Sequence, residues 1–199
     1  DKNATETSGE CYGFSLLYSG NFLAAAEKDQ FDQIRLIMGI HPENFEFLLK
    51  EGETFWAPEV MMVYSADGFE KMSNCYHKAV REHVCRGRFK LERRPVLINN
   101  WEATYFNFTE EKLLQLASRA QKCGIELFVL DDGWFGARSS SKAGLGDWEA
   151  NRDRLPNGLS GLAQKIEALG MKFGLWIEPE MVNPKSELAE KHPDWIVRP

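Results

Sequence analysis

From Pro95 to the end of the chain, short apolar runs alternate three times with longer amphipathic ones, and this leaves few folds open. The first run, Pro95 to Asn100, reads as a strand. A helix beginning near Thr109 follows it, with Glu110 and Glu111 in its first turn, where the helix dipole favours acids. Leu113, Leu116, Ala117 and Ala120 form its inward stripe, and Gly124 stands where a helix ends. The second strand is Glu126 to Asp131. Its segment Leu127-Phe128-Val129-Leu130 is apolar on both faces, as a parallel strand requires. After a long loop, Leu159, Leu162, Ala163, Ile166 and Leu169 share one helical face that stops at Gly170. The third strand is Lys172 to Ile177. Asn183-Pro184 is expected to open a short helix that Pro193 closes. Repeated strand–helix units of this kind build a parallel α/β sheet or barrel. Three units cannot close a barrel, so the fold expected over 95–199 is the first part of a (β/α)8 TIM barrel, and the chain reads as a fragment.

Upstream the period is different. Phe14, Leu16 and Tyr18, then Phe22-Leu23-Ala24, alternate around Ser19-Gly20-Asn21. Ile34, Leu36 and Met38 alternate up to Gly39, Phe45, Phe47 and Leu49 lead into Lys50-Glu51-Gly52-Glu53, and Val60 to Tyr64 is a further apolar run. These read as antiparallel strands of a β-sandwich with one buried face. The expected layout is therefore the C-terminal part of a β-sandwich domain over 1–68, a linking helix over 69–94 and the barrel segment over 95–199. The linking helix rests on Phe69, Met72, Tyr76, Ala79, Val80, His83 and Val84 at helical spacing. The basic cluster Arg86, Arg88, Lys90, Arg93 and Arg94 at its end, broken by Glu92, reads as a solvated linker.

A net charge of −6 over 199 residues offers no basic footprint for nucleic acid. No apolar run is long enough for a membrane span. Cys11, Cys75, Cys85 and Cys123 are widely spaced without a Cys-x-x-Cys pair and read as reduced structural residues.

The chemistry collects where the three strands end. The first exits as Asn99-Asn100-Trp101-Glu102, the second as Asp131-Asp132-Gly133-Trp134, and the third as Trp176-Ile177-Glu178-Pro179-Glu180. The carboxyl ends of parallel strands are where α/β folds build sites. Each exit supplies a tryptophan and at least one acid. A sugar needs that mixture, because its C–H faces pack on aromatic rings while its hydroxyls seek charged acceptors. Two other uses remain open for these residues. An Asp-Asp-Gly run also serves as a helix cap and turn. The acids could also form an oxygen-only magnesium or calcium site, which would leave the tryptophans without a role. The leading reading involves neither metal nor cofactor.

Several segments together are specific enough to name a family. They are Arg94-Pro95-Val96-Leu97-Ile98-Asn99-Asn100-Trp101-Glu102-Ala103, Leu130-Asp131-Asp132-Gly133-Trp134-Phe135-Gly136 and Leu145-Gly146-Asp147-Trp148, followed by Phe173-Gly174-Leu175-Trp176-Ile177-Glu178-Pro179-Glu180-Met181-Val182 and His192-Pro193-Asp194-Trp195. In this order they resemble the melibiase-type α-galactosidases of glycoside hydrolase family thirty-six. Tyr12-Gly13-Phe14-Ser15-Leu16 and Tyr18-Ser19-Gly20-Asn21-Phe22 are similar to the end of that family's N-terminal β-sandwich. The resemblance implies that Asp131 and Asp132 bind the galactose 4- and 6-hydroxyls, that Trp101 and Trp176 line the galactose pocket, and that Trp148 adds to its wall. It implies that Glu178 and Glu180 orient the pocket from behind its lining. It implies retaining hydrolysis of raffinose- and melibiose-type α-galactosides by an Asp nucleophile and an Asp acid/base, both expected beyond Pro199. No catalytic residue is then expected in this chain. Alternatives on the same fold are an α-N-acetylgalactosaminidase or a galactosyl transferase. An alternative of a different class is a non-catalytic sugar-binding module. A homo-oligomer in the bacterial cytoplasm is expected of the full-length protein.

Overall fold

The computed structural model describes residues 2–197, which fall into two units, one ending at Glu92 and the other beginning at Arg93. In the first, β1 (Cys11–Leu16) pairs antiparallel with β4 (Val60–Ser65), in register from Cys11 opposite Ser65 to Leu16 opposite Val60. Strands β2 (Phe22–Lys28) and β3 (Ile34–Ile40) form a separate hairpin. Its turn is held by Asp29, whose Oδ1 accepts from the backbone N–H groups of Phe31 and Gln33 at 2.8 and 2.9 Å. The strands expected upstream are thus present as two two-stranded ribbons. Phe45, Phe47 and Leu49 do not form one. Residues 41–59 carry no strand, and Phe47 and Phe45 pack instead on Phe55, with ring centroids 4.6 and 5.9 Å apart. Alternation alone does not make a strand when no partner edge offers backbone bonds. Helix α1 (Gly68–Ala79) follows and runs on through a π turn, Val80–Val84.

The second unit is a parallel sheet in the order β5 (Leu97–Asn99), β6 (Leu127–Leu130), β7 (Lys172–Leu175). Register pairs Asn99 with Val129 and Val129 with Gly174. The central strand alternates half-buried and buried, and its buried members, Phe128 and Leu130, are fully enclosed. After β5 comes a single turn of helix, α2 (Trp101–Thr104). The crossover helices are α3 (Glu110–Lys122) and α4 (Gly158–Ala168). Thr109 caps α3 by accepting from the Lys112 N–H. Leu113, Ala117 and Ala120 are the buried stripe, as expected from their spacing. From α4, Leu162 and Ile166 enter the same core. An ion pair between buried Glu110 and exposed Lys165 joins the two helices. Burial opposes ionisation of Glu110, but the Lys165 and Asn157 bonds prevail and hold its pKa below the ordinary carboxylate value.

One expectation needs correction here. Asn183-Pro184 does not open a helix. The last helix, α5 (Glu187–Lys191), starts three residues later with Ser186 as its cap, whose Oγ accepts from the Ala189 N–H at 3.1 Å. Arg93 is exposed in the irregular segment before β5, as expected of a linker residue, but it is not without a partner. Its guanidinium grips Glu126 at the start of β6 with two bonds of 3.0 and 2.6 Å, and the Val96 N–H donates to the same carboxylate at 2.7 Å. That cluster ties the entry of β5 to the entry of β6, at the end of the sheet opposite the acids.

Replacing Leu162, which is fully buried, by Ala is expected to cost about 2–5 kcal/mol of stability, read from the denaturation midpoint at unchanged slope. The Arg93 bonds hold the Glu126 carboxyl down at about 2. The stabilisation from a depressed carboxyl is complete above its unfolded pKa and disappears as pH falls to the folded one. Melting temperature should therefore fall between pH 4.5 and about pH 2, and Glu126→Gln should flatten that fall while lowering the melting temperature at neutral pH.

Candidate active site

Both ends of a parallel strand leave unpaired backbone groups, and at the carboxyl end of this sheet side chains take them up. Asn100, fully buried, accepts the Asp131 N–H on its Oδ1 at 2.8 Å and donates its Nδ2 to Thr104 Oγ1 at 2.8 Å. Asn99 donates to Asp131 Oδ2 at 2.6 Å and accepts the Trp101 N–H at 3.2 Å. The exits of β5 and β6 are therefore stitched together through two asparagines. Trp101, Asn99 and Asp131 form one bonded group, with Asp131 half-buried. Trp101 lies at the start of α2, half-buried, its ring edge-on to Tyr105 and Phe106 at 5.2 and 5.1 Å.

Asp131 and Asp132 have unlike surroundings. Asp132 is 7% exposed and turned into the loop 131–157. There Arg138, 4% exposed, clasps it through Nε to Oδ1 at 2.8 Å and Nη2 to Oδ2 at 2.7 Å. The guanidinium lies between the rings of Phe106 and Phe135, 5.7 and 5.8 Å from their centroids. Its Nη1 donates to the Ala143 carbonyl at 3.0 Å and to Asn183 Oδ1 at 2.9 Å. Arg154 braces the same loop by donating to the carbonyls of Gly133 and Arg138. Burial lowers the Arg154 guanidinium from its ordinary value, and the charge of Asp132 opposes that. Gly133 has φ of +97°, and a Cβ there would press on Phe106 and Arg154 at about 3 Å, so only glycine suits this turn.

The third exit closes the other side. The Trp176 N–H donates to the Leu130 carbonyl at 2.9 Å, one residue past the end of β7. Strand alternation gives it the same parity as Gly174, hence the same face as Val129 and Asn99. Trp148, from the long loop, stands 6.4 Å from Trp176, edge to face, and 4.5 Å from Phe135. Trp134 is structural: it is 2% exposed and donates its indole N–H to the Trp176 carbonyl at 2.9 Å. Glu178 is half-buried and Glu180 exposed.

The expected residues thus fall into two linked groups, Trp101 with Asp131, and Trp176 with Trp148. Asp132 stands behind them, anchored. Sequence reasoning missed Asn99, Arg138 and Asn183. Arg138 left a signal, because a carboxylate buried at a strand exit needs a cation, and this arginine stands six residues along. Chemically, the arrangement offers oriented carboxylate acceptors at the exit of β6 and indole rings at the exits of β5 and β7. Among the described residues, no three Asp, Glu, His or Cys side chains gather as a metal-ligand set. No helix of the described residues is long and apolar enough to cross a membrane. An apolar groove of about 600 Å³ lies in the first unit between the two ribbons, lined by residues such as Phe14, Leu36 and Met62, and it carries none of this chemistry.

Residues 54–199 match the Melibiase family model, and residues 1–50 match the glycosyl hydrolase family 36 N-terminal domain. The chain is 58% identical over 196 residues to the α-galactosidase AgaA of Geobacillus stearothermophilus, a match that takes in 98% of this chain and 27% of that protein. It superposes on the crystal structure of the family 36 α-galactosidase AgaB from the same organism with a TM-score of 0.91 at 58% identity, covering all of this chain and 28% of the other. A doubly substituted AgaA in complex with raffinose gives a TM-score of 0.92 at 56% identity, with the same coverage. The chain therefore spans little more than a quarter of the length of these relatives. The partial-barrel architecture and the order of the strand-exit motifs agree with that match, and the chain belongs to the melibiase family of glycoside hydrolases.

Proposed function

We propose that this chain supplies the galactose-recognition wall of a retaining α-galactosidase acting on raffinose- and melibiose-type α-galactosides. The observation that carries the proposal is the bonded group Trp101–Asn99–Asp131 at the ends of adjacent parallel strands, with Trp176 at the end of the next. Asp131 offers a charged acceptor to a sugar hydroxyl, and its Oδ2 is already oriented by Asn99. Asp132 offers the lone pairs that Arg138 leaves free, at a position that cannot shift. Trp101 and Trp176 present rings to the C–H faces of the sugar, and Trp148 supports Trp176. The raffinose complex of AgaA supports the substrate class. The nucleophile and acid/base belong to the remainder of the protein in this reading. A bacterial cytoplasmic enzyme built of identical subunits completes the proposal, resting on the bacterial source of AgaA.

Asp131→Asn in the full-length enzyme should lower kcat/KM for a raffinose-type galactoside about ten- to a hundredfold, the worth of one charged hydrogen bond. Its melting temperature should fall by no more than the worth of one hydrogen bond, because Asn keeps the volume and one of the two acceptors that Asn99 and the Asp132 N–H use. A capping or turn aspartate would behave the other way, with stability slightly changed and kinetics intact. The chain alone, purified, should give no turnover of an aryl α-galactoside. Turnover abolished by a substitution within the chain would contradict the placement of the catalytic pair elsewhere.

A further inference from the structure

Asp132 is held by a guanidinium, and that guanidinium is held in turn by the loop that follows the next strand. Four of the five N–H groups of Arg138 are used. Nε and the Nη2 bond face Asp132, while Nη1 faces Ala143 and Asn183. Ala143 belongs to the same loop as Arg138 and travels with it. Asn183 does not: it lies beyond β7, on the segment that begins with Trp176. Its own place is set by four bonds. Its N–H donates to the Leu145 carbonyl at 3.0 Å, its Oδ1 also accepts from the Leu145 N–H at 3.1 Å, its Nδ2 donates to the Ser141 carbonyl at 3.4 Å, and its carbonyl accepts from Ser186 Oγ at 2.9 Å. A flexible side chain would not be restrained in this way.

We propose that Asn183 is a positioning residue for sugar recognition, acting through Arg138 to fix the orientation of the Asp132 carboxylate. This rests on the reading of Asp132 as a sugar ligand. The residue type fits the task. A neutral amide oxygen accepts from Nη1 without competing for the positive charge that Asp132 needs. A carboxylate at the same place would draw the guanidinium toward itself and loosen the bidentate clasp. Asn183 also joins two exits of the sheet, one of several contacts that tie the loop carrying Trp176 to the loop carrying Asp132. No atom of Asn183 needs to touch the substrate for this role.

The test is a double-mutant cycle in the full-length enzyme, with KM, kcat and melting temperature measured on raffinose. Asn183→Ala should raise KM about tenfold with a smaller effect on kcat. In an Asp132→Asn background the same change should alter KM less than about twofold, because the two residues act as one unit. Asn183→Asp preserves both acceptor bonds, so a merely structural role predicts wild-type kinetics for it. The positioning role predicts a raised KM at nearly unchanged melting temperature. Additive effects of Asn183→Ala and Asp132→Asn overturn the proposal, as do wild-type kinetics in Asn183→Asp. Failure of both Asn183 variants to fold also overturns it and makes the residue structural. Wild-type kinetics in Asp132→Asn itself would instead remove the ligand reading beneath it, a result distinguishable from the others.

Discussion

A carboxylate that leaves water at the end of a parallel strand must find a cation, and the second unit is organised around the way Asp132 does so. A buried ion pair adds little net stability over an apolar substitute of the same shape, but removing one partner leaves an uncompensated charge at a cost of about 3–5 kcal/mol. The pair therefore works mainly by excluding other arrangements. Arg138 reaches Asp132 only if the loop 131–157 doubles back, and the loop is built to do so. Gly144, at φ of +79°, lets the backbone pass Arg138 where a Cβ would sit 3.2 Å from its N and Cα. Asp147 accepts from the Glu187 and Leu188 N–H groups at 3.2 and 3.0 Å, so the folded loop also caps α5. One electrostatic requirement thus sets the course of a long segment that has little regular structure of its own.

The same requirement separates two aspartates that are equivalent on paper. With Asp132 committed to Arg138, Asp131 is left half-open beside Asn99. The pair becomes one fixed anchor and one presented acceptor. Asn99 and Asn100 divide in a similar manner. One orients the Asp131 carboxylate, and the other, fully buried, occupies the Asp131 backbone N–H. Polar groups at this end of the sheet are satisfied by one another, and among the described residues no buried side-chain nitrogen or oxygen lacks a partner.

The periodic parts of this architecture were readable in advance. The stripe with Leu113, Ala117 and Ala120, the helix start near Thr109 and the apolar run of β6 all reflect local rules, in which a residue's neighbours on the chain decide its role. The contacts that escaped are those between residues far apart on the chain. The partner of Arg93 escaped because Glu126, 33 positions away, carries no local mark of the pairing. Asn183-Pro184 reads as a helix opening because Pro suits the first helical position, and the bond of Asn183 to Arg138, 45 positions away, has no local mark. Phe45 and Phe47 alternate as strand residues do, yet ring packing on Phe55 absorbed them. Tryptophan count misled in one instance: Trp134 shares a motif with the aspartates, but its indole N–H is used to hold Trp176 in place.

Recognition and bond cleavage make different demands, and the carboxyl pair at the exit of β6 does not have the arrangement that cleavage needs. Retaining hydrolysis needs two carboxyl groups facing each other across the scissile bond, about 5–5.5 Å apart, one of which must give and take a proton. Asp131 and Asp132 are neighbours on one strand exit. Both oxygens of Asp132 accept from a guanidinium, and both oxygens of Asp131 accept as well, from Asn99 and from the Asp132 N–H. Groups held in this manner are acceptors with fixed directions, suited to reading the stereochemistry of hydroxyls. Glu102, the other acid at the first exit, is bonded to Tyr105 at 2.9 Å, whose phenol that bond raises above its ordinary value. Asp131, Asp132 and Glu102 are therefore all committed as hydrogen-bond acceptors at the strand exits, and none of them faces another carboxyl across an open gap.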